Sequence, residues 1–185
     1  TSESGLTGNF KVVLNTAPTA NVTVGLSSAN TNEGTPSAGS VTFTSANWST
    51  AQTVTVNPVN DNIDDGNVAY NVTTIAASST DGTYSGMNAA DVAVTNLDDD
   101  TAGITVTPTS GLQTSEGGST ATFTVVLDSE PTSVVTIGLS SSNAAEGTVT
   151  PSVSFTTVNW NIPQSVIVTG VNDAVVDGSI AYNIV

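Results

Sequence analysis

The sequence predicts an all-β protein made of two tandem immunoglobulin-like antiparallel β-sandwiches, each with seven strands and Greek-key connections. Three observations support this fold class. Short segments alternate apolar and polar residues, as half-buried strands do. No segment shows the sustained apolar period of about 3.6 residues that an amphipathic helix requires. A single pattern also occurs twice along the chain, at a spacing that suits one sandwich domain per copy.

Matching motifs show that the chain contains two copies of one unit. They are Thr-Ser-Glu at 1–3 and 114–116, Phe-x-Val-Val-Leu at 10–14 and 123–127, Glu-Gly-Thr at 33–35 and 146–148, Asn-Trp at 47–48 and 159–160, Val-Asn-Asp at 59–61 and 171–173, and Asp-Gly at 65–66 and 177–178. The offset is 113 residues in the first half of the unit and 112 in the second half. We therefore predict domains over 1–100, lacking its opening strand, and 101–185, lacking its closing strand.

The individual strands follow from alternating apolar residues. Phe10, Val12 and Leu14 occupy every second position and predict one strand with an inward face, and the same pattern recurs over 22–26. The predicted strands of the first repeat are 7–15, 21–28, 40–44, 52–59, 68–77 and 91–97. Those of the second repeat are 103–107, 120–128, 134–141, 152–156, 164–171 and 180–185.

Composition excludes several classes of function. The chain has 16 acidic residues, one basic residue and no histidine or cysteine, for a net charge of −15. Nucleic acids and anionic membranes need a basic surface, so neither is an expected partner. No apolar run is long enough for direct membrane insertion. Without His, Cys or Arg, groups for acid–base or nucleophilic catalysis are scarce, and we expect no enzyme. Acidity with abundant Thr is typical of extracellular proteins, at the cell surface or secreted.

Most acidic residues of the first repeat are expected at one end of the sandwich. Consecutive antiparallel strands alternate in direction, so every second loop lies at the same end. Those loops contain Glu3, Glu33, Asp61, Asp64 and Asp65, and Asp98, Asp99 and Asp100 follow the last strand. The second repeat has Glu116, Glu146, Asp173 and Asp177 at matching positions.

Such a cluster indicates a bound cation. Two unit charges about 5 Å apart repel by roughly 3 kcal/mol at an effective dielectric constant near 20. Several such pairs would rival the stability of a domain, and the single basic residue, Lys11, lies on a strand. Oxygen ligands without His or Cys favour a hard cation, and Ca²⁺ accepts six to eight of them. The alternative is a solvated acidic face, but recurrence at matching loop positions favours metal binding.

The predicted Ca²⁺ ligands are Glu3, Asp61, Asp64, Asp65, Asp98, Asp99 and Asp100 in the first repeat, and Glu116, Asp173 and Asp177 in the second. Glu33 and Glu146 lie in longer polar loops and are expected to be solvated. Val176 stands where the first repeat has Asp64. We therefore expect the second site to be weaker or incomplete.

These motifs resemble the Calx-β domain family over nearly the whole chain. The resemblance rests on Thr-Ser-Glu at 1–3 and 114–116, on Asn-Asp-x-x-x-Asp-Gly at 60–66 and 172–178, and on the run 98–100. It implies a seven-stranded sandwich that binds Ca²⁺ at the end formed by these segments. The tandem arrangement looks most like that of large bacterial extracellular or adhesin-type repeat proteins.

The leading functional hypothesis is a non-enzymatic Ca²⁺-binding repeat that rigidifies an extracellular surface adhesin, filament or matrix protein. Its expected partners are neighbouring repeats of the same chain and a homopolymeric or strand-donating neighbour. The alternative is an adhesive module that binds a ligand or carbohydrate through the sandwich loops. An aromatic patch would favour that alternative, but Trp48 and Trp160 are expected to cap the core instead.

Overall fold

The computed structural model describes residues 1–176 and 178–185, which form strands, turns and loops. This part of the chain contains no helix, and so none that could cross a membrane. The predicted all-β class is therefore confirmed. The described residues divide into two compact units, the first made of Thr1–Asp61 and Asp65–Asp99, the second of Asn62–Asp64 and Asp100–Val185.

The first unit is a sandwich of two antiparallel sheets. Its strands are β1 (Gly8–Val12), β2 (Val22–Ser28), β3 (Gly34–Pro36), β4 (Ser40–Phe43), β5 (Gln52–Pro58), β6 (Val68–Ser78) and β7 (Val92–Asn96). One sheet has the order β1-β5-β3 and the other the order β4-β2-β6-β7. The core contains Phe43, which is fully buried, and the alternate residues Val22, Val24 and Leu26 of β2. The alternation in the sequence therefore faces β2 inward, as predicted.

The second unit repeats this plan with a smaller second sheet. Its strands are β8 (Ile104–Thr107), β9 (Thr120–Leu127), β10 (Val135–Gly138), β11 (Gly147–Val149), β12 (Ser152–Phe155) and β13 (Gln164–Gly170). The order β11-β13-β9-β8 forms one sheet, and β10 pairs with β12 in the other. Phe155, the counterpart of Phe43, is again fully buried in the core.

Two features differ from the strands expected from sequence. The short strands β3 and β11 were not predicted; they pair with β5 and β13 and follow Glu33 and Glu146 directly. The prediction of a strand over 180–185 was wrong. The described residues there form one isolated bridge, between Ile184 and Ser141. In the first unit β6 lies between β2 and β7, and two-sided pairing supports its full length.

Candidate metal centre

The N-terminal segment places Glu3 beside the end of β7. Ser2 forms a parallel bridge with Leu97. The Glu3 N–H donates a hydrogen bond to the Leu97 carbonyl at 2.9 Å, and the Leu97 N–H donates to the Thr1 carbonyl at 3.1 Å. This pairing brings Glu3 close to the two residues that flank Leu97, Asn96 and Asp98.

Strand β3 brings a second glutamate to the same place. Glu33 directly precedes β3, and its carbonyl accepts a hydrogen bond from the Val59 N–H at 3.0 Å. Its side chain is only 5% exposed. The expectation that Glu33 is solvated was therefore wrong: its loop is polar in composition, but β3 folds this end of the loop inward.

Asn96, the last residue of β7, joins the two buried glutamates and is only 1% exposed. Its Nδ2 donates to Glu3 Oε1 at 3.5 Å, to Glu33 Oε2 at 3.4 Å and to the Val59 carbonyl at 3.0 Å. The first two contacts are long, and the third is an ordinary hydrogen bond. The Asn96 amide group thus contacts the carboxylates of both Glu3 and Glu33.

Two buried oxygen atoms of this group have no hydrogen-bond partner. They are Oε2 of Glu3, a residue only 6% exposed, and Oδ1 of Asn96. Leaving a buried polar group unsatisfied costs about 1–3 kcal/mol, and more if the group is charged. Asn96 Oδ1 can accept a hydrogen bond or bind a cation, and Glu3 Oε2 can do the same or carry a proton. With the local excess of negative charge, the second use fits better.

The electrostatic environment of Glu3 disfavours its charged form. Burial, and then the negative charges of Asp61, Asp98, Asp65 and Glu33, raise the pKa of Glu3 from 4.5 to about 7. Burial is also the largest cause that raises the pKa of Glu33, while the hydrogen bond from Asn96 opposes the increase. A divalent cation would replace the proton that these groups otherwise favour.

The carboxylates are close enough to share one ion. Glu3, Asp98 and Asp100 each offer an oxygen, and these three oxygens lie within 4.8 Å of one another. Oxygens bound to one Ca²⁺ at about 2.3–2.6 Å can be up to roughly 5 Å apart, on opposite sides of the ion. We call the group of Glu3, Glu33, Asp61, Asp65, Asn96, Asp98 and Asp100 the acidic pole.

Other predicted ligands of the first repeat have different surroundings. The Gly66 N–H donates to Asp98 Oδ2 at 2.6 Å, which ties the loop after Asp65 to the pole. Asp64 is exposed, and its Oδ2 accepts a hydrogen bond from the Ala102 N–H at 2.8 Å. Asp99 is exposed between the two half-buried residues Asp98 and Asp100. Asp99 is therefore more exposed to solvent than either of its neighbours.

The matching residues of the second repeat are more open to solvent. Glu116, the counterpart of Glu3, is exposed. Asp173 is also exposed, and its Oδ1 accepts a hydrogen bond from the Val175 N–H at 2.7 Å. Glu146 is half-buried and, with Glu116, lines a cavity of about 370 Å³. The predicted ligand Asp177 lies outside the described residues.

The tryptophans contribute to the scaffold. The Trp48 carbonyl accepts a hydrogen bond from the Leu14 N–H at 3.1 Å, and the Trp160 carbonyl accepts the equivalent bond from Leu127. Both side chains are half-buried, and Trp160 packs against the core of the second unit. The packing of Trp160 agrees with the capping role expected from sequence, and that role stays a prediction for Trp48.

Comparison with known proteins gives limited similarity. No protein-family model matches the sequence, and no curated protein matches it. Among solved structures, CBD12 from CALX1.2 is 14% identical, with a TM-score of 0.43, over 91% of this chain and 71% of that one. The calcium-binding domain CBD12 of CALX1.1 is 16% identical, with a TM-score of 0.40, over 93% and 72%. At this level, the neighbours identify neither a bound ion nor a function for this chain.

Proposed function

We propose that the chain is a non-enzymatic, Ca²⁺-binding structural module whose main site is the acidic pole. The observation that carries the proposal is Glu3. Its side chain is buried, one of its carboxylate oxygens has no partner, and its pKa is raised by burial and by neighbouring carboxylates. A buried carboxylate in this environment is stable in its charged form only if a cation neutralises it.

Glu3, Asp98 and Asp100 would hold the ion, and Asn96 Oδ1 is a further available oxygen. When bound, Ca²⁺ would supply the positive charge that balances these carboxylates. Asp61 and Asp65, whose negative charges also raise the pKa of Glu3, would strengthen the attraction of the site for the ion. Carboxylate and amide oxygens are the ligands that Ca²⁺ prefers, and Zn²⁺ would favour the His or Cys ligands that the chain lacks.

The proposed biological role is a Ca²⁺-stiffened spacer in an extracellular adhesin, filament or matrix protein. Asp98 and Asp100 lie in the segment that follows the last strand of the first repeat and precedes the first strand of the second. An ion held by both would restrict the backbone dihedrals of that segment. Extracellular modules bind Ca²⁺ with dissociation constants of roughly 10⁻⁴–10⁻³ M, so a modest site would be sufficient there.

Isothermal titration calorimetry with Ca²⁺ on the full chain tests the proposal. We expect saturable binding that Glu3→Gln weakens by at least about tenfold, because the neutral amide loses the charge attraction. Glu116→Gln is the matched control at the exposed counterpart and should leave the tightest site unchanged. Binding that is equally strong in Glu3→Gln, or absent from the unmodified chain at millimolar Ca²⁺, would disprove the proposal.

A further inference from the structure

One end of the second unit exposes a group of apolar side chains. Val158 and Ile162, in the turn between β12 and β13, are 83% and 54% exposed, and Val134, directly before β10, is 64% exposed. Trp160, in the same turn, is half-buried. Single exposed apolar residues are common on protein surfaces, but a group of them marks an interaction site. We call these four residues the apolar patch.

Backbone pairing brings the parts of the apolar patch together. The Leu127 N–H, at the end of β9, donates a hydrogen bond to the Trp160 carbonyl at 3.1 Å, which ties the turn to β9. Val135 lies opposite Phe155 in the pairing of β10 with β12. Val134 therefore lies beside the turn that follows β12. The end of β9, the start of β10 and the turn meet at this end of the unit, so the patch is one surface.

The first unit has polar or small residues at the matching positions. The counterparts of the three exposed patch residues are Asn21, Ala46 and Thr50, in chain order. All three are exposed too, although the first unit has all seven of its strands. Exposure at these positions is therefore a property of the fold in both units. The tryptophan is also common to both, as Trp48 and Trp160. What differs is that the second unit places apolar side chains around it.

Two carboxylates lie beside the apolar patch. Asp128 directly follows β9, and Glu130 lies two residues further on, in the loop that leads to Val134. Asp128 is exposed and Glu130 is half-buried. The first unit has Asn15 and Ala17 at these positions. The second unit contains no Lys or Arg, so both charges attract cationic groups from outside it. We call Asp128 and Glu130 the acidic rim.

We propose that the apolar patch and the acidic rim bind a cationic amphipathic segment of a partner protein. The apolar side chains of the segment cover the patch, and its Lys or Arg side chains pair with the rim. Protein interfaces combine an apolar, aromatic centre with a polar rim in this way. The net charge of −15 favours the approach of a cationic partner and repels an anionic one. This site contains no residue of the acidic pole, and the binding does not require Ca²⁺.

A synthetic amphipathic helix of about 18 residues, with Leu on one face and Lys on the other, is the probe. Fluorescence anisotropy of the labelled peptide with the full chain in EGTA, at about 0.15 M salt to screen long-range attraction, should show saturable binding. The triple variant Val134→Asn/Val158→Ala/Ile162→Thr carries the residues of the first unit. It should weaken binding at least about tenfold, because the apolar centre of the interface is lost. Since these positions are exposed in both units, the variant should fold normally.

The acidic rim is tested by Asp128→Asn/Glu130→Ala, which also carries the residues of the first unit. This variant should weaken binding about three- to tenfold and reduce its salt dependence. Asp99→Asn/Glu116→Gln removes the same charge from exposed positions outside the site. It is the matched control and should leave the affinity within about twofold, as expected for distant, screened charges.

A second peptide tests the apolar contact without altering the chain. It has the same composition and charge, but its Leu residues are scattered over all faces of the helix, and it should bind at least about tenfold more weakly. Equal affinity for the two peptides, or equal affinity of the unmodified chain and the triple variant, would overturn the proposal. Binding of the chain to phosphatidylcholine vesicles, or dimers in sedimentation velocity, would also overturn it if the triple variant abolished them, because the patch would then have a different occupant.

Discussion

The two ends that carry Thr-Ser-Glu have the same motif in different environments. Glu3 is 6% exposed and lies against Asn96, whereas Glu116 is exposed. The difference is the strand beside the motif. In the first unit β7 ends next to Glu3 and places Asn96 and Asp98 there, and the described part of the second unit has no such strand. In the first unit the end of β7 therefore buries Glu3 among neighbouring carboxylates.

Removing Ca²⁺ should have the largest effect and should act on the first unit. At a Ca²⁺ concentration 100 times the dissociation constant, binding adds about 2.7 kcal/mol to the free energy of unfolding. For a domain of this size this corresponds to a rise in melting temperature of roughly 10–20 °C. Differential scanning calorimetry in Ca²⁺ and in EGTA measures it. The double variant Asp98→Asn/Asp100→Asn should abolish the shift, and a shift that survives would place the ion elsewhere.

Replacing Asn96 should destabilise the acidic pole. Asn96→Ala deletes the amide that contacts Glu3, Glu33 and the Val59 carbonyl. We expect a loss of about 1–3 kcal/mol in the free energy of unfolding, because buried acceptors lose their donor. Urea denaturation in EGTA measures this loss. Asn71→Ala, at an exposed position on β6, is the control, and an equal loss in the two variants would contradict the bridging role.

The pH dependence of the metal-free chain should also depend on Glu3. Its pKa is about 7 when folded and 4.5 in the reference state, so the folded state binds more protons between these values. The free energy of unfolding should therefore decrease as pH rises from about 4.5 to 7 and stay lower above 7. Thermal melts in EGTA across this range measure it. The decrease should be smaller in Glu3→Gln and unchanged in Glu116→Gln. A decrease that is equally large in Glu3→Gln would refute the assignment of this pH dependence to Glu3.

Asp99 should matter least among the three consecutive aspartates. It is exposed, whereas Asp98 and Asp100 are half-buried and approach Glu3. Asp99→Asn should change the free energy of unfolding by less than about 0.5 kcal/mol, as is usual for surface positions. Calorimetric titration should show little change in Ca²⁺ affinity. If Asp99→Asn weakened binding as much as Asp98→Asn, the geometry of the pole would be wrong.

Local patterns predicted most of the fold, because alternation at period two depends only on neighbouring residues. Strand β2 shows this, since its inward face follows directly from Val22, Val24 and Leu26. Strand β3 was missed because it has three residues, including a glycine and a proline. Strand formation over 180–185 was predicted wrongly, because an apolar pattern does not reveal whether both edges of a strand are paired.

The candidate site was only partly predictable. Loop alternation placed Glu3, Asp61, Asp65 and Asp98 at one end, and the structure brings their charges together. Two buried members were missed. The recurrence of Glu-Gly-Thr was a signal for Glu33, but the polar loop around it suggested solvation. Asn96 lies in a part of the first repeat that has no counterpart among residues 101–185, so repetition gave no signal for it, and its burial depends on packing between segments far apart in sequence.

A crystal structure of the full chain grown with Ca²⁺, or with Tb³⁺ for its anomalous signal, tests the central claim most directly. The account predicts an anomalous peak about 2.3–2.6 Å from the carboxylate oxygens of Glu3, Asp98 and Asp100. In that structure Glu3 Oε2, unpartnered here, should coordinate the ion. A peak confined to exposed residues such as Asp99 or Glu116, with none at Glu3, would contradict the account.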